Sequence, residues 1–153
     1  MTRLHESIET ARPIEAAFSY LADFANAQEW DPGVASAERL DSGPLGVGSR
    51  FRLDVRIGGR TAPMEYRISD LDAPRRVVFI GSGSGVSAVD SIGFESTSSG
   101  TRVDYTADIR LAGLMWLVQP LLGMTFAKIA RDAAGGMQRQ LDARAARDGA
   151  DRS

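Results

Sequence analysis

The 153-residue chain has no cysteine and a single histidine, His5. Disulfides and thiolate chemistry are excluded, and no imidazole cluster exists for a zinc or non-haem iron site, so neither metal nor cofactor is expected. A surplus of positive charge is also missing. Eighteen Lys and Arg against 20 Asp and Glu leave a net charge of -2 and a pI near 5.4. Phosphate backbones demand the opposite balance, which makes nucleic acid a poor partner, although Arg50, Arg52 and Arg56 could form a local stripe. The N-terminal MTRLHESIET carries charges where a signal peptide needs an uninterrupted apolar core, so the expected address is the cytoplasm.

What the chain does have is a long apolar segment, Leu111 to Ile129, without charge until Lys128. It carries more apolar surface than a one-sided helix needs. A core, a ligand cavity, a partner subunit or a membrane could each cover that surplus. Leu111 to Ala127 approaches the length of a membrane span. Gln119 and Pro120 interrupt it, however, and a lone span would leave the preceding strands unsealed, so no stable membrane span is expected.

The length suits one domain over residues 1–145, with 146–153 as a frayed tail rich in Arg, Asp and Ala. Residues 3 to 10 alternate as a half-buried strand. Pro13 suits a first helical turn, and Ile14, Ala17, Phe18 and Leu21 follow at helical spacing. Asp23 to Gln28 reads as a further turn or small helix before the loop Glu29-Trp30-Asp31-Pro32-Gly33. Phe51, Leu53, Val55 and Ile57 alternate with Arg50, Arg52, Asp54 and Arg56 as an amphipathic strand, and Gly58-Gly59 supplies a hairpin. Met64, Tyr66 and Ile68 continue the inward face. Val77 to Ile80 reads as a short strand, and the run Val86, Ala88, Asp90, Ile92, Phe94 as a longer one. Val103, Tyr105, Ala107, Ile109 and Leu111 point inward from the last strand. Phe126, Ile129, Ala133, Met137 and Leu141 share one side of the final helix. The order strand, short helices, about six strands, long helix implies an α+β fold with one antiparallel sheet around a C-terminal helix.

Several residues carry a family resemblance: the proline-led first helix ending Leu21-Ala22-Asp23, the Trp30-Asp31-Pro32 loop, and Gly46-Val47-Gly48-Ser49-Arg50-Phe51 leading into a strand. Gly100-Thr101-Arg102-Val103 and the final Leu/Pro/Leu helix add to these. Over roughly residues 3 to 142 the chain resembles the START/Bet v 1-like (SRPBCC) superfamily, within it the bacterial polyketide cyclase/dehydrase and lipid-transport group. The resemblance implies a helix-grip fold, a curved seven-stranded antiparallel sheet around the long helix, with a cavity for a small hydrophobic molecule such as a lipid or polyketide. Only some such proteins catalyse, and no catalytic signature is present to carry over.

Candidate ligand-binding residues are Trp30, Phe51, Leu53, Met64, Tyr66, Phe79, Asp90 and Tyr105, with Met115, Trp116 and Met124 from the helix. Each of the apolar ones could equally be packing in a core. Glu6 and Asp90 are the catalytic candidates, since each falls on the apolar side of its strand. A carboxyl in a dry cavity could move the proton that an aldol cyclisation or dehydration requires. The plainer alternative, a strand end open to water or a register slipped by one residue, is preferred here. Tyr66 and Tyr105 could hydrogen-bond a ligand carbonyl. Trp30 either caps the pocket or anchors the small helices. His5 is read as exposed and inert, and Gly81-Ser82-Gly83-Ser84-Gly85 as a flexible hairpin connection, because no helix follows it to complete a phosphate cradle. The leading expectation is binding or carriage of a small hydrophobic ligand. Alternatives are a cyclase/dehydratase and a protein-interaction module, and the apolar faces of Leu114 to Phe126 would also suit a homodimer.

Overall fold

A computed structural model describes residues 2–57, 59–113 and 123–151, and side chains at 3–56, 59–113 and 127–147. Strand β1 (Thr2–Thr10) leads through Pro13 into α1 (Ile14–Ala22), a 3-10 turn (Phe24–Asn26) and the four-residue α2 (Ala27–Trp30). Six strands follow: β2 (Val34–Arg39), β3 (Arg50–Ile57), β4 (Arg60–Asp72), β5 (Arg76–Gly83), β6 (Val86–Thr97) and β7 (Gly100–Leu111). Helix α3 (Gly123–Asp151) ends the described chain and runs into the segment expected to fray.

All seven strands form one antiparallel sheet in the order β1-β7-β6-β5-β4-β3-β2, curled into a half-barrel. The helix-grip expectation is met. The alternation read from the sequence sets the faces: Phe51, Leu53, Met64, Tyr66, Ile68, Phe79, Ile92, Val103 and Tyr105 are buried on the concave side. Arg50 and Arg52 alternate outward, Arg50 pairing with Glu65 and Arg52 with Asp54.

Some expectations need correction. Trp30 is the last residue of α2, not part of a loop. The glycine-serine run is mostly strand: Gly81, Ser82 and Gly83 belong to β5, and only Ser84 and Gly85 turn the chain. Both turn residues have positive φ, 53° and 77°, the signature of a two-residue hairpin whose twist matches its strands. On α3 the buried stripe is Ala130, Ala133, Ala134, Met137 and Leu141, whereas Ile129 is exposed. At 3.6 residues per turn Ile129 lies about 80° from Met137, at the margin of the stripe. The side chain of Phe126 lies outside the described residues.

Helix α3 is fixed against β1 and the short helices. Gln138 Nε2 donates to the Glu9 carbonyl (3.1 Å), and Thr10 Oγ1 donates to Asp142 Oδ1 (2.7 Å). Arg144 lies 4.4 Å over the Tyr20 ring and donates to both Glu29 oxygens (2.9 and 3.1 Å), while the Tyr20 hydroxyl donates to Glu29 Oε1. Gly136 is buried in mid-helix, where glycine weakens a helix. The reason is proximity: a Cβ there would overlap the Trp30 carbonyl oxygen and stand 2.7 Å from its carbon.

Candidate functional site

The register of the strands lays the concave face out in rows. Leu4, Ala107, Asp90, Phe79 and Ile68 lie side by side across β1, β7, β6, β5 and β4. On one side of that row run Glu6, Tyr105, Ile92 and Val77, and on the other Ile109, Ala88, Gly81, Tyr66 and Phe51. The sheet therefore brings Glu6, Asp90, Tyr105 and Tyr66 together although they span a hundred residues of sequence.

Asp90 is 5% exposed, so the preference for a water-open strand end does not hold for it. The Tyr105 hydroxyl donates to its Oδ1 at 3.2 Å. Burial pushes the Asp90 carboxyl up to about 7, against the opposing pull of that hydrogen bond. Burial, then the charge of Asp90, holds the Tyr105 hydroxyl well above its ordinary value. Glu6 also faces inward, half-buried and directly opposite Tyr105.

Tyr66 lies flat across Gly81 on the neighbouring strand, where a Cβ would stand 2.5 Å from its Cζ. The tyrosine so placed reaches along the floor formed by Gly81 and Ala88 toward the Asp90 strand. Among the described residues its hydroxyl has only a thioether partner, Met64 Sδ at 3.9 Å. Trp30 is 1% exposed, and its ring stands edge-on to Tyr105 with centroids 6.2 Å apart. Its Nε1 is buried and has no acceptor among the described residues. Its backbone also bears on Gly136, so Trp30 anchors the short helices against α3.

Phe24, which the sequence reading passes over, is the centre of the aromatic wall. It stacks on Phe79 (4.0 Å, 13° between planes) and meets Tyr66, Phe51 and Trp30 at 5.1, 6.3 and 6.2 Å. The available signal was Asp23, which caps the 3-10 turn by accepting from the Ala25 amide (3.1 Å) and so turns the next side chain inward. Asp31 is a second omission. It sits partly exposed at the rim, accepts the Gly33 amide (2.8 Å), and is raised to about 6 by burial, with Gly33 and Arg56 opposing. Leu53 and Met64 line the same face, whereas Met115, Trp116 and the side chain of Met124 lie outside the described residues.

Elsewhere, His5 is exposed on the convex face, its Nε2 3.6 Å from Asp104. Ser7 donates to that same carboxylate. The imidazole does not stand between serine and acid, so no nucleophile relay is formed. A groove of about 330 Å3 lined by Leu40, Arg52, Pro63, Met64, Glu65 and Ser82 reaches Met64 but not the Asp90–Tyr105 pair. Among the described residues, no helix is long and apolar enough to cross a membrane.

The architecture has solved counterparts. A START superfamily protein from Mycobacterium smegmatis superposes with a TM-score of 0.78 at 14% identity, covering 92% of this chain and 97% of that one. The ZhuI aromatase/cyclase from Streptomyces sp. R1128 gives 0.76 at 16% identity, covering 94% of each. The di-domain aromatase/cyclase StfQ from the steffimycin biosynthetic pathway gives 0.70 at 12% identity, covering 95% of this chain and 52% of that one. At these identities the likeness is one of fold. No curated protein matches the sequence. The profile of the polyketide cyclase/dehydrase and lipid transport family matches residues 1–147. With nearly its whole length matched, the chain belongs to that family.

Proposed function

We propose that this protein binds a small apolar molecule bearing oxygen atoms, held between the concave face of the sheet and α3. The observation that carries this reading is a pair of buried polar groups without adequate partners among the described residues: Trp30 Nε1 with none, and the Tyr66 hydroxyl with a thioether alone. Buried donors are rarely left so, because each costs about 1–3 kcal/mol. Both are donors, set among Phe24, Phe51 and Phe79, and a ligand with carbonyl or hydroxyl oxygens would satisfy them. Freshly purified protein, denatured and extracted into organic solvent, should release a stoichiometric apolar, oxygen-bearing compound absent from an empty-vector preparation. The Trp30→Phe/Tyr66→Phe double variant should release much less. An empty protein that also fails to take up N-phenyl-1-naphthylamine would refute the reading.

A second reading, acid–base catalysis of a cyclisation or dehydration, is favoured by one specific feature. Asp90 has a proton affinity suited to transfer near neutrality and a tyrosine beside it to orient a substrate oxygen. Glu6, across from Tyr105, would be the other proton carrier. On this reading Asp90→Asn abolishes turnover of a polyketone substrate while ligand uptake persists.

A further inference from the structure

We propose that the concave interior selects its ligand by charge, taking molecules that are uncharged at the end reaching Asp90 and rejecting amphiphiles that bring a carboxylate, sulfonate or phosphate there. The proposal rests on the binding role above and narrows its ligand class.

Among the described residues, the charged and titratable groups facing the interior beside Asp90 are acidic or phenolic; Arg60, on the inward register of β4, is exposed at the hairpin end six residues from Tyr66. Asp90 comes from β6, Glu6 from β1 and Asp31 from the end of α2, with the phenols of Tyr66 on β4 and Tyr105 on β7. Asp31 and Asp90 stand close enough for each charge to disfavour ionisation elsewhere in the site.

Among the described residues, basic groups beside this site are directed away from it or paired, and Arg3, Arg75, Arg131, Arg139 and Arg147 are exposed. Arg39, in register with inward Phe51, is turned to Asp41 (2.8 Å), Pro44 and Ser49. Arg56 comes nearest to the rim, and its guanidinium donates to the carbonyls of Pro32 (2.6 Å) and Val34 (3.3 Å). The Arg12 backbone carbonyl accepts from Thr101 Oγ1 (2.7 Å), which fixes the root of that side chain at the far end of β7. Thr101 is six residues along β7 from Ala107, the partner of Asp90, roughly 20 Å at the rise of a strand. On α3, Lys128 pairs with Asp132 (2.7 Å) and Arg144 with Glu29. Arg50, Arg52, Arg67, Arg76, Arg102 and Arg110 alternate onto the convex face. The sequence between Arg110 and Lys128 has no charged residue, so residues 114–122 cannot supply a cation either.

An anionic head group reaching Asp90 meets a carboxylate that no cation offsets among the described residues, since Arg56 acts on Asp31 at the rim, in surroundings where like charges a few ångströms apart cost roughly tenfold to a hundredfold in affinity. A neutral oxygen meets donors instead: Trp30 Nε1, Tyr66 and, below neutrality, the protonated Asp90 itself.

Two fluorescent probes with one skeleton test this. N-phenyl-1-naphthylamine is neutral, and 8-anilino-1-naphthalenesulfonate carries a permanent negative charge. The full chain is titrated with each at pH 6 and pH 8, as wild type, Asp90→Asn and Asp31→Asn. The expected result is a neutral-probe affinity that hardly changes and a sulfonate affinity that falls about tenfold or more between pH 6 and pH 8. Asp90→Asn should remove most of that fall, and Asp31→Asn part of it, which keeps the test open if the first variant folds poorly. Sulfonate binding that ignores both pH and the substitutions overturns the charge rule while leaving the binding role standing. Binding of neither probe overturns the binding role, and the charge rule with it.

Discussion

Two adjacent glycines in α3 should respond to alanine in opposite directions. In an exposed helix interior, Gly→Ala stabilises by about 1 kcal/mol, because alanine loses less backbone freedom on folding. Gly135 is half-exposed and has the room: a Cβ there would approach only Arg139 Nη1, at 3.3 Å, the far end of a long side chain. Gly136 lacks that room. Its Cβ would overlap the Trp30 carbonyl oxygen and stand 2.7 Å from the carbonyl carbon and 3.2 Å from Trp30 Cα. Those are backbone atoms of α2, so no rotamer relieves the overlap, and α3 must lift from the short helices. Overpacking costs about 1–3 kcal/mol where side chains can adjust, and this case belongs at or above the upper end. After subtracting the propensity gain, Gly136→Ala should lose about 2 kcal/mol or more, a fall in Tm of about 4–8 °C for a chain of this size. Gly135→Ala should gain about 2–4 °C. Calorimetry of both variants gives the answer. In a Trp116→Phe background, the emission of Trp30 should also shift in Gly136→Ala alone. Equal stabilisation by both substitutions would refute the claim that Gly136 exists to admit the Trp30 carbonyl.

Two further outcomes follow from the site. The Asp90 carboxyl binds its proton more tightly folded than unfolded, so the native state holds the extra proton between about pH 4 and 7 and stability drains away as pH rises through that window. From 3.8 to about 7 the contribution is on the order of 4 kcal/mol, so Asp90→Asn should gain stability relative to wild type by up to that amount at pH 8 and little at pH 4. Urea unfolding at both pH values measures this, and a constant difference between the two proteins would contradict it. Gly81→Ala should displace the Tyr66 ring, costing about 1–3 kcal/mol and weakening uptake of the neutral probe. If a Tyr66→Ala background does not remove most of that cost, the proposed overlap is not its cause.

The sheet was readable because a half-buried strand writes its burial into every second residue, and this sheet has one wet face and one covered face. That alternation also pointed Asp90 inward, and the structure agrees with the pattern over the suspicion of a slipped register. Its limit is visible in α3, where spacings of three and four admit Ile129 to a stripe that the true helical period leaves behind. Gly136 was beyond reach for another reason, and Phe24 was marked only by the Asp23 cap beside it. Both matter through tertiary contacts, ring packing against Phe79, Tyr66, Phe51 and Trp30 in one case and a carbonyl under a helix in the other, and neither leaves a periodic trace. The site itself is a product of register: Asp90 and Tyr105 hydrogen-bond diagonally across two strands, and only the β6–β7 pairing shows that they meet.

The pairing of β1 with β7 also has a consequence in time. Thr10 pairs with Thr101 and Thr2 with Ile109, so the first strand is synthesised roughly a hundred residues before its neighbour. At ~5–20 residues per second on the ribosome it waits roughly 5–20 s with its hydrogen-bonding edges unmatched. The β2-to-β7 meander can form hairpin by hairpin as it emerges, but the sheet is completed only by a contact of the longest sequence separation, the kind that slows folding. The apolar face of β1 is thus the segment most in need of protection in the nascent chain. Charged Arg3, Glu6 and Glu9 along so short a strand are suited to keeping it from pairing with the wrong partner in the interval.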